Sequence, residues 1–196
     1  LLTGLQLSPK TSLEIRLWYD QFQNTIIGYD NAAYVSYTNN SSFKSIYDDY
    51  TLGGAALLTS TIFGGDTFTA GVQYKFDKHR EHSLTAPITA MDDSILHFSV
   101  EEKGWLTPKL RLTVGAAVNA LLPGTAEEYY SSTSSISNFK LYNSFGADFQ
   151  GKIEWKLAAD SSLLFGLERK TRLPGMKDRY SYKMGRALPN PDLDSE

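Results

Sequence analysis

Long stretches of the chain alternate strictly between apolar and polar residues, and this period of two limits its fold more than any other feature. Leu110, Leu112 and Val114, for example, alternate with Arg111 and Thr113. The same alternation runs through Leu13–Asp20, Thr67–Asp77 and Phe149–Leu157. A strand points successive side chains to opposite faces, whereas a helix repeats every 3.6 residues. The sequence therefore predicts an all-β protein whose sheet is apolar on one face, and we find no convincing amphipathic helix.

The connections between these stretches differ in length in a regular way. Short turns lie at Ser8–Ser12, Gly64–Asp66, Thr107–Lys109 and Ala158–Ser161. Long polar segments lie at Gln21–Asp48, Lys78–Asp93, Pro123–Asn138 and from Lys170 to the end. Short and long connections alternate along the chain. This order is typical of an up-and-down membrane barrel with tight turns at one end and large loops at the other.

The pattern predicts about eight strands. They are Leu1–Leu7, Leu13–Asp20, Tyr47–Phe63, Thr67–Asp77, Ser94–Trp105, Leu110–Leu121, Phe139–Leu157 and Ser162–Arg169, with Ala32–Thr38 as a candidate for one more. The two longest, Tyr47–Phe63 and Phe139–Leu157, far exceed the usual ~5–6 residues of soluble sheets. Aromatic residues near strand ends fit the girdles of a membrane barrel: Trp18, Tyr19, Tyr74, Phe76, Trp105 and Trp155. We predict one domain, 1–196, an antiparallel up-and-down meander that is part of a larger transmembrane β-barrel.

Composition excludes several classes of function. The formal net charge is −3, so the chain has no basic field for nucleic acid. It has no cysteine, which excludes a disulfide framework, a thiol nucleophile and a cysteine-ligated metal. No apolar run is long enough for a transmembrane helix.

The titratable residues do not form a recognisable catalytic or metal-binding pattern. His79 and His82 lie in a charged run, and His97 alternates with apolar neighbours on a strand, so we expect it on the polar face. No serine or carboxylate lies at a triad-like offset from any of the three. The acidic pairs lack the spacing of a calcium loop: Asp48–Asp49, Asp92–Asp93 and Glu127–Glu128. We predict that the protein is not an enzyme and uses neither a cofactor nor a metal.

A basic cluster follows the last predicted strand. Arg169, Lys170 and Arg172 lie where this strand would leave the membrane. There they could bind lipopolysaccharide phosphates or an anionic ligand. The alternative, which the sequence favours, is an ordinary solvated strand end. With Arg179, Tyr180 and Tyr182 they are the candidate ligand and surface-loop residues.

The end of the chain carries a motif. Arg172-Leu173-Pro174 leads through a tyrosine-rich polar segment to Leu188, Pro189, Asn190, Pro191, Asp192 and Leu193. The prolines fix φ at two positions, which predicts a stiff turn rather than a helix or a central strand. This string resembles the extracellular excursion midway through the barrel of TonB-dependent outer-membrane receptors. In that family a strand ends in a basic R-x-P element, and a loop leads to P-N-P-D-L and a Lys-Pro-Glu-like tail, of which Asp194-Ser195-Glu196 is a looser version.

The resemblance implies location, partners and activity. Receptors of this family lie in the bacterial outer membrane and import scarce solutes, such as ferric siderophores, haem, cobalamin or glycans. They use energy that TonB transmits from the inner membrane. The implied partners are outer-membrane lipid and lipopolysaccharide, the transported small molecule, and TonB through N-terminal regions that this sequence lacks. Because the family has a plug domain before the barrel and further strands after the motif, we expect an internal piece that supplies wall and surface loops.

Two other interpretations remain open at the level of sequence. One is a complete small outer-membrane barrel that acts as an adhesin or a pore. The other is a soluble β-sandwich that acts as a binding module, because alternation also occurs in sheets that cover a soluble core.

Overall fold

The protein is all-β, as predicted, and its strands form one antiparallel sheet. The computed structural model describes residues 1–39, 42–61, 63–83, 86–182 and 188–196, with only the backbone of Phe63. Parts of the predicted connection Lys78–Asp93 and of the segment after Lys170 lie outside the described residues. The strands are β1 (Leu2–Ser8), β2 (Thr11–Gly28), β3 (Phe43–Thr61), β4 (Thr67–Ser83), β5 (Thr89–Thr107), β6 (Leu110–Tyr130), β7 (Ser135–Asn138), β8 (Ser144–Ala158) and β9 (Ser161–Arg169).

The sheet is a meander in the order β1-β2-β3-β4-β5-β6-β8-β9, and β7 pairs with the far part of β6. Consecutive strands are antiparallel neighbours, so the turns alternate between the two ends of the sheet. The predicted short turns all lie at one end, which we call the inner end. The longer connections and the chain after β9 lie at the other, the outer end. The described sheet is not closed into a barrel.

Several strands extend further toward the outer end than the sequence predicted. Much of the three predicted internal polar loops is paired strand: β2 continues to Gly28, β4 to Ser83 and β6 to Tyr130. These extensions carry polar residues on both faces, interrupted by apolar residues such as Phe22, Ile26 and Ile27, so they lack the alternation on which the prediction depended. The candidate strand Ala32–Thr38 is wrong, because that segment is irregular. The predicted strand Phe139–Leu157 is also wrong in its first part, since residues 139–143 separate β7 from β8.

Glycines are required at two places, one in the predicted turn Gly64–Asp66 and one within a strand. Gly64 and Gly65 turn the chain between β3 and β4 with φ values of 67° and 95°, in the left-handed region. Gly53 lies under the indole of Trp18, and a Cβ atom at this position would overlap that ring. The close approach within the strand is therefore possible only for glycine unless Trp18 moves.

The chain has little conventional core. Among the described residues, the buried apolar side chains are Leu121, Ala126, Pro174 and Tyr180. The accessible surface is 13066 Å², whereas a compact monomer of this mass exposes about 9,000 Å². A single sheet that leaves both faces uncovered explains the excess.

The only helix in the described part of the chain, apart from a 3-10 turn at Phe63–Gly65, is α1 (Met176–Tyr180). No helix there is long and apolar enough to cross a membrane. The sequence did not predict α1. Asp178 helps to begin it, because its carboxylate accepts a hydrogen bond from the backbone N–H of Gly175 over 3.1 Å.

Candidate functional site

The pairing register divides the side chains between an apolar face and a polar face, as predicted. Leu112 lies opposite Ile153, and Arg111 lies opposite Glu154 on the other face. The apolar face holds the predicted residues Leu110, Leu112, Val114, Phe68, Val72, Ile153 and Trp155, and the polar face holds Arg111, Gln73, Lys152 and Glu154. No residue of either set is in a helix or on the wrong side.

The apolar face carries a continuous band of exposed side chains across the sheet, which we call the apolar band. One row across the strands runs Ile15, Ala56, Val72, Phe98, Val118 and Ala147, and the next runs Leu17, Gly54, Tyr74, Leu96, Ala120 and Phe145. Val118, near its centre, is 57% exposed. In β4 the band extends from Phe68 to Phe76, close to the ~9–11 residues that a tilted strand needs to span a bilayer. At the level of the band, the described charged residues on this face are Glu102 and Arg169.

The aromatic residues follow this division only in part. Tyr19, Tyr50 and Phe76 form a cluster on the apolar face at the outer boundary of the band, with ring centroids 6.3 and 6.0 Å apart. Trp155 lies on the same face near the inner end. The girdle prediction is wrong for Trp18 and Trp105, which lie on the polar face. Trp18 covers Gly53, and Trp105 is contacted by the cations of Arg111 and Lys156 at 5.4 and 4.3 Å.

The strands are staggered across the sheet. The row that contains Thr11, the first residue of β2, crosses β6 at Val114 and β8 at Gly151. At that row β6 still has the stretch from Leu110 below it, and β8 runs on to Ala158. Each later hairpin thus reaches further past the row. A steady stagger of this kind is what tilted strands of a barrel require.

Beyond the apolar band, both faces of the outer sheet are polar. On the side that continues the apolar face, Arg80 forms an ion pair with Asp48, which also accepts a hydrogen bond from Gln21. On the other side His79 contacts Asp49 at 2.7 Å and Glu81 at 3.6 Å. The hydrogen bond to Glu81 and the charge of Asp49 raise the pKa of His79, and His79 lowers the pKa of Glu81.

A hydrogen-bonded row crosses the polar face within the band. His97 Nδ1 lies 2.6 Å from Asn119 Oδ1, and Asn119 donates to Asp148 over 2.9 Å. Asp148 in turn accepts the backbone N–H of Thr171 over 2.7 Å. His97 is therefore on the polar face, as predicted. The row links three strands to the segment after β9.

Two shallow grooves flank this row on the polar face. One, of about 250 Å³, has Glu101, Asp148 and Gln150 on its walls and Gly115 on its floor. The other, of about 220 Å³, is lined by Arg16, Gln73 and His97 among others. Small residues at the centre of the polar face create both grooves.

The basic cluster at the end of β9 is not gathered into one anion site. Arg169 ends the strand on the apolar side. Lys170 pairs with Glu168 at 3.3 Å, and Arg172 pairs with Asp178 at 2.8 Å and Glu196 at 3.5 Å. The side chains of Lys170 and Arg172 remain mostly exposed. Their role toward a ligand stays a prediction.

Arg179 and Tyr180 lie inside the fold. The Arg179 side chain is 0% exposed and pairs with Asp93 at 2.8 Å, and its other terminal nitrogen donates to the carbonyl of Tyr142 over 3.0 Å. Burial raises the pKa of Asp93 against the opposing effect of Arg179. The Tyr180 ring packs beside Phe139, with centroids 5.4 Å apart. The break between β7 and β8 is therefore where α1 docks, which no local pattern in the sequence indicated.

The terminal motif folds back on this anchor, and we call residues 171–182 and 188–196 the strap. Asn190 donates its N–H to the carbonyl of Arg179 over 2.8 Å, and Leu193 donates to Asn190 over 3.2 Å, which closes the predicted turn around Pro191 and Asp192. Ser195 bonds the carbonyl of Phe145. Tyr182 donates to Glu128, and that bond raises the pKa of Tyr182 to about 12. Leu188 and Pro189 lead into the turn, with Leu188 exposed.

No protein-family model, curated protein or solved structure matches the chain. The class of protein is therefore inferred from the two faces of the sheet, its ends and the terminal motif.

Proposed function

We propose that the chain forms part of the wall and surface loops of a TonB-dependent receptor in the bacterial outer membrane. Such a receptor binds a scarce solute of the siderophore, haem, cobalamin or glycan class and imports it with TonB-coupled energy. The observation that carries the proposal is the apolar band. It runs across the strands at one level, and the same strands turn polar on both faces beyond it.

A bilayer explains this arrangement physically. A soluble monomer rarely exposes more than a few hundred Å² of contiguous apolar surface, and the apolar band runs across the sheet from β2 to β9. In lipid, the same side chains are favourably placed, and the polar face lines a lumen. The stagger of the strands supports a tilted barrel wall.

The terminal motif narrows the class from membrane barrels in general to one family. The resemblance rests on Arg172-Leu173-Pro174 and on Leu188 to Leu193. Energy coupling through TonB and the classes of solute depend on this resemblance alone. In this proposal the exposed residues Arg169, Lys170, Arg172 and Tyr182 lie at the outer surface, where they meet lipopolysaccharide phosphates or an arriving ligand.

The alternatives fit the sheet less well. A β-sandwich needs two packed sheets, and the described strands form one layer. A small complete barrel with adhesin or pore function would share the apolar band, but it gives no reason for the terminal motif.

The absence of cysteine allows a direct test of the faces. Single cysteines are introduced by Val72→Cys, Phe98→Cys and Val118→Cys, with Gln73→Cys and His97→Cys as neighbours on the polar face. Each is spin-labelled in lipid vesicles, and its collisions with oxygen and with a water-soluble nickel chelate are compared. We expect collisions with oxygen to dominate at the first three positions and collisions with the nickel chelate to dominate at the other two. Equal nickel access on both faces, or a detergent-free monomer, would refute the membrane assignment.

Transport needs a separate test in cells. The gene that encodes this segment is disrupted, and uptake of a ferric siderophore, haem, cobalamin and a maltodextrin is compared with the parent strain. We expect the disrupted strain to lose uptake of one of these solutes. The parent strain should lose uptake of the same solute when the proton-motive force is dissipated. Unchanged uptake of all four would refute the receptor assignment while leaving the barrel wall intact.

A further inference from the structure

The loop between β2 and β3 presents an aromatic tip at the outer end of the sheet. Tyr34 and Val35 are 70% and 82% exposed. The turn between β6 and β7, also at the outer end, carries only serine and threonine at positions 131–134. Exposed apolar side chains are thus a property of this loop and not of every outer connection.

Hydrogen bonds to one carboxylate brace the described part of the loop, residues 29–39 and 42, although it is exposed. The Asp30 carboxylate accepts hydrogen bonds from the N–H and hydroxyl of Thr38, at 3.0 and 3.1 Å, and from the N–H of Asn39 at 2.9 Å. It also accepts one from the hydroxyl of Ser42. These bonds lower the pKa of Asp30 well below its usual range. A loop of two to five residues is enough to join two antiparallel strands. We therefore expect the longer, hydrogen-bonded loop to have a role besides connecting β2 and β3.

The tip itself has an unusual backbone and an ordered set of rings. Tyr34 has φ of 56°, in the left-handed region that large side chains rarely adopt. Its ring stands edge-on to Tyr29 with centroids 5.4 Å apart, and Tyr37 contacts Tyr29 at 6.4 Å. Strain of this kind persists where the surroundings impose it, and it is concentrated at functional sites.

We infer that this tip, centred on Tyr34 and Val35, is a recognition element for a neutral glycan. Between positions 29 and 39 the only charged residue is Asp30, and its carboxylate is occupied within the loop. Within these positions a charged ligand would therefore find no free counter-ion. Tyrosine offers an apolar ring face for the C–H side of a pyranose and a hydroxyl that exchanges hydrogen bonds with sugar hydroxyls. Rigid tyrosines also lose little entropy on binding.

This inference goes beyond the proposed function and does not depend on it. A glycan that binds the tip need not be the imported solute, and the tip would bind it whether or not the sheet belongs to a transporter. Failure of glycan binding would leave the accessibility and uptake tests above unaffected.

The test is binding of the whole chain to a printed array of neutral and acidic glycans, in a detergent without a sugar head group. We expect binding to a set of neutral glycans. Tyr34→Ala should lower the apparent affinity by about tenfold or more. Asp30→Ala should weaken binding by loosening the loop. Tyr130→Ala, which removes another exposed tyrosine at the outer end, should leave binding unchanged.

Three outcomes would overturn the inference. They are no binding to any glycan, binding confined to acidic glycans, and equal loss of binding in the Tyr34 and Tyr130 variants. Circular dichroism of each variant shows whether the sheet is retained. Val35→Ser provides a second variant at the tip if Tyr34→Ala does not fold.

Discussion

The inner and outer halves of the sheet share strands and backbone pairing, but their side chains make different interactions. In the inner half, side chains on one face are apolar, exposed and unpaired, as Val118 and Phe98 are. In the outer half, both faces carry polar groups that find partners within the sheet, as Arg80 and Asp48 do. The side-chain pattern of continuous strands thus changes at the level of Tyr19 and Phe76.

The side-chain pattern therefore differs between the halves although the strand pairing is the same. Under the proposed function the apolar band faces lipid, where an apolar side chain needs no partner, and this accounts for the lack of a packed core among the described residues of the inner half. Water competes for every polar group, so the outer half relies on several weak contacts and one buried ion pair, Arg179 with Asp93.

The largest expected effect is at that ion pair. Arg179→Ala leaves the buried Asp93 carboxylate unpaired, and removal of one partner of a buried pair costs about 3–5 kcal/mol. We expect the strap to detach, seen as rapid proteolysis and hydrogen exchange in residues 171–182. The double variant Arg179→Met with Asp93→Leu should recover much of the loss. If Arg179→Ala leaves the strap protected, the ion pair does not hold the strap to the outer half of the sheet.

The next effect contrasts the same substitution in the two halves. Val118→Arg places a cation within the apolar band, where lipid-facing arginine costs about 2–4 kcal/mol. Thr25→Arg is its control, because Thr25 lies on the same side of the sheet but beyond the band. Urea unfolding from lipid vesicles should show a large loss for the first and less than about 0.5 kcal/mol for the second. Equal losses would mean that the two halves share one environment.

The same contrast explains what the sequence predicted and what it did not. In the inner half each strand alternates between an apolar and a polar face, so positions such as Leu112 and Arg111 could be assigned to faces from their order alone. In the outer half residues such as Lys78 and Asp92 pair across strands. A run of polar residues without alternation has the appearance of a loop, and this is why the strands were predicted too short.

The candidate site residues also divide into those that local sequence could predict and those that it could not. The turn at Pro191 could be predicted because proline restricts its own backbone locally. The burial of Arg179 could not, because its partner Asp93 is 86 positions away and no spacing rule connects them. The segment around Tyr34 was predicted as a strand, because its apolar and polar residues alternate. The hydrogen bonds to Asp30 that shape it instead join residues several positions apart, which the pattern does not reveal.

A smaller loss of stability should distinguish a glycine on the polar face of the inner half from one on its apolar face. Gly53→Ala must displace the Trp18 indole on the polar face, and overpacking of this kind costs about 1–3 kcal/mol. Gly151→Ala is the matched control, because nothing lies within 4 Å of a Cβ atom there. Unfolding measurements and Trp18 fluorescence should report a change for the first variant only. Similar stability of the two would show that Trp18 moves aside without cost and does not order the polar face.

The smallest effect is the pH dependence of the outer half. His79 has a raised pKa in the folded state, so its contribution is complete below its ordinary pKa of 6.5 and is lost as pH rises through the raised value. Glu81 has a lowered pKa, so its contribution is present above 4.5 and is lost as pH falls through the lowered value. Contacts between them should therefore be strongest from pH 4.5 to 6.5.

Hydrogen exchange along the outer parts of β3 and β4 measures this dependence, with the titration of His79 followed by NMR. The expected amplitude is below about 1 kcal/mol, as for other partly exposed ion pairs. With protection taken relative to the intrinsic exchange rates, His79→Gln should remove the loss of protection that the unsubstituted protein shows as pH rises above 6.5. Protection in the apolar band, which has no such pair, should not change. A pH response that persists in the variant would assign it to another group, and a response in the band would remove the distinction between the two halves.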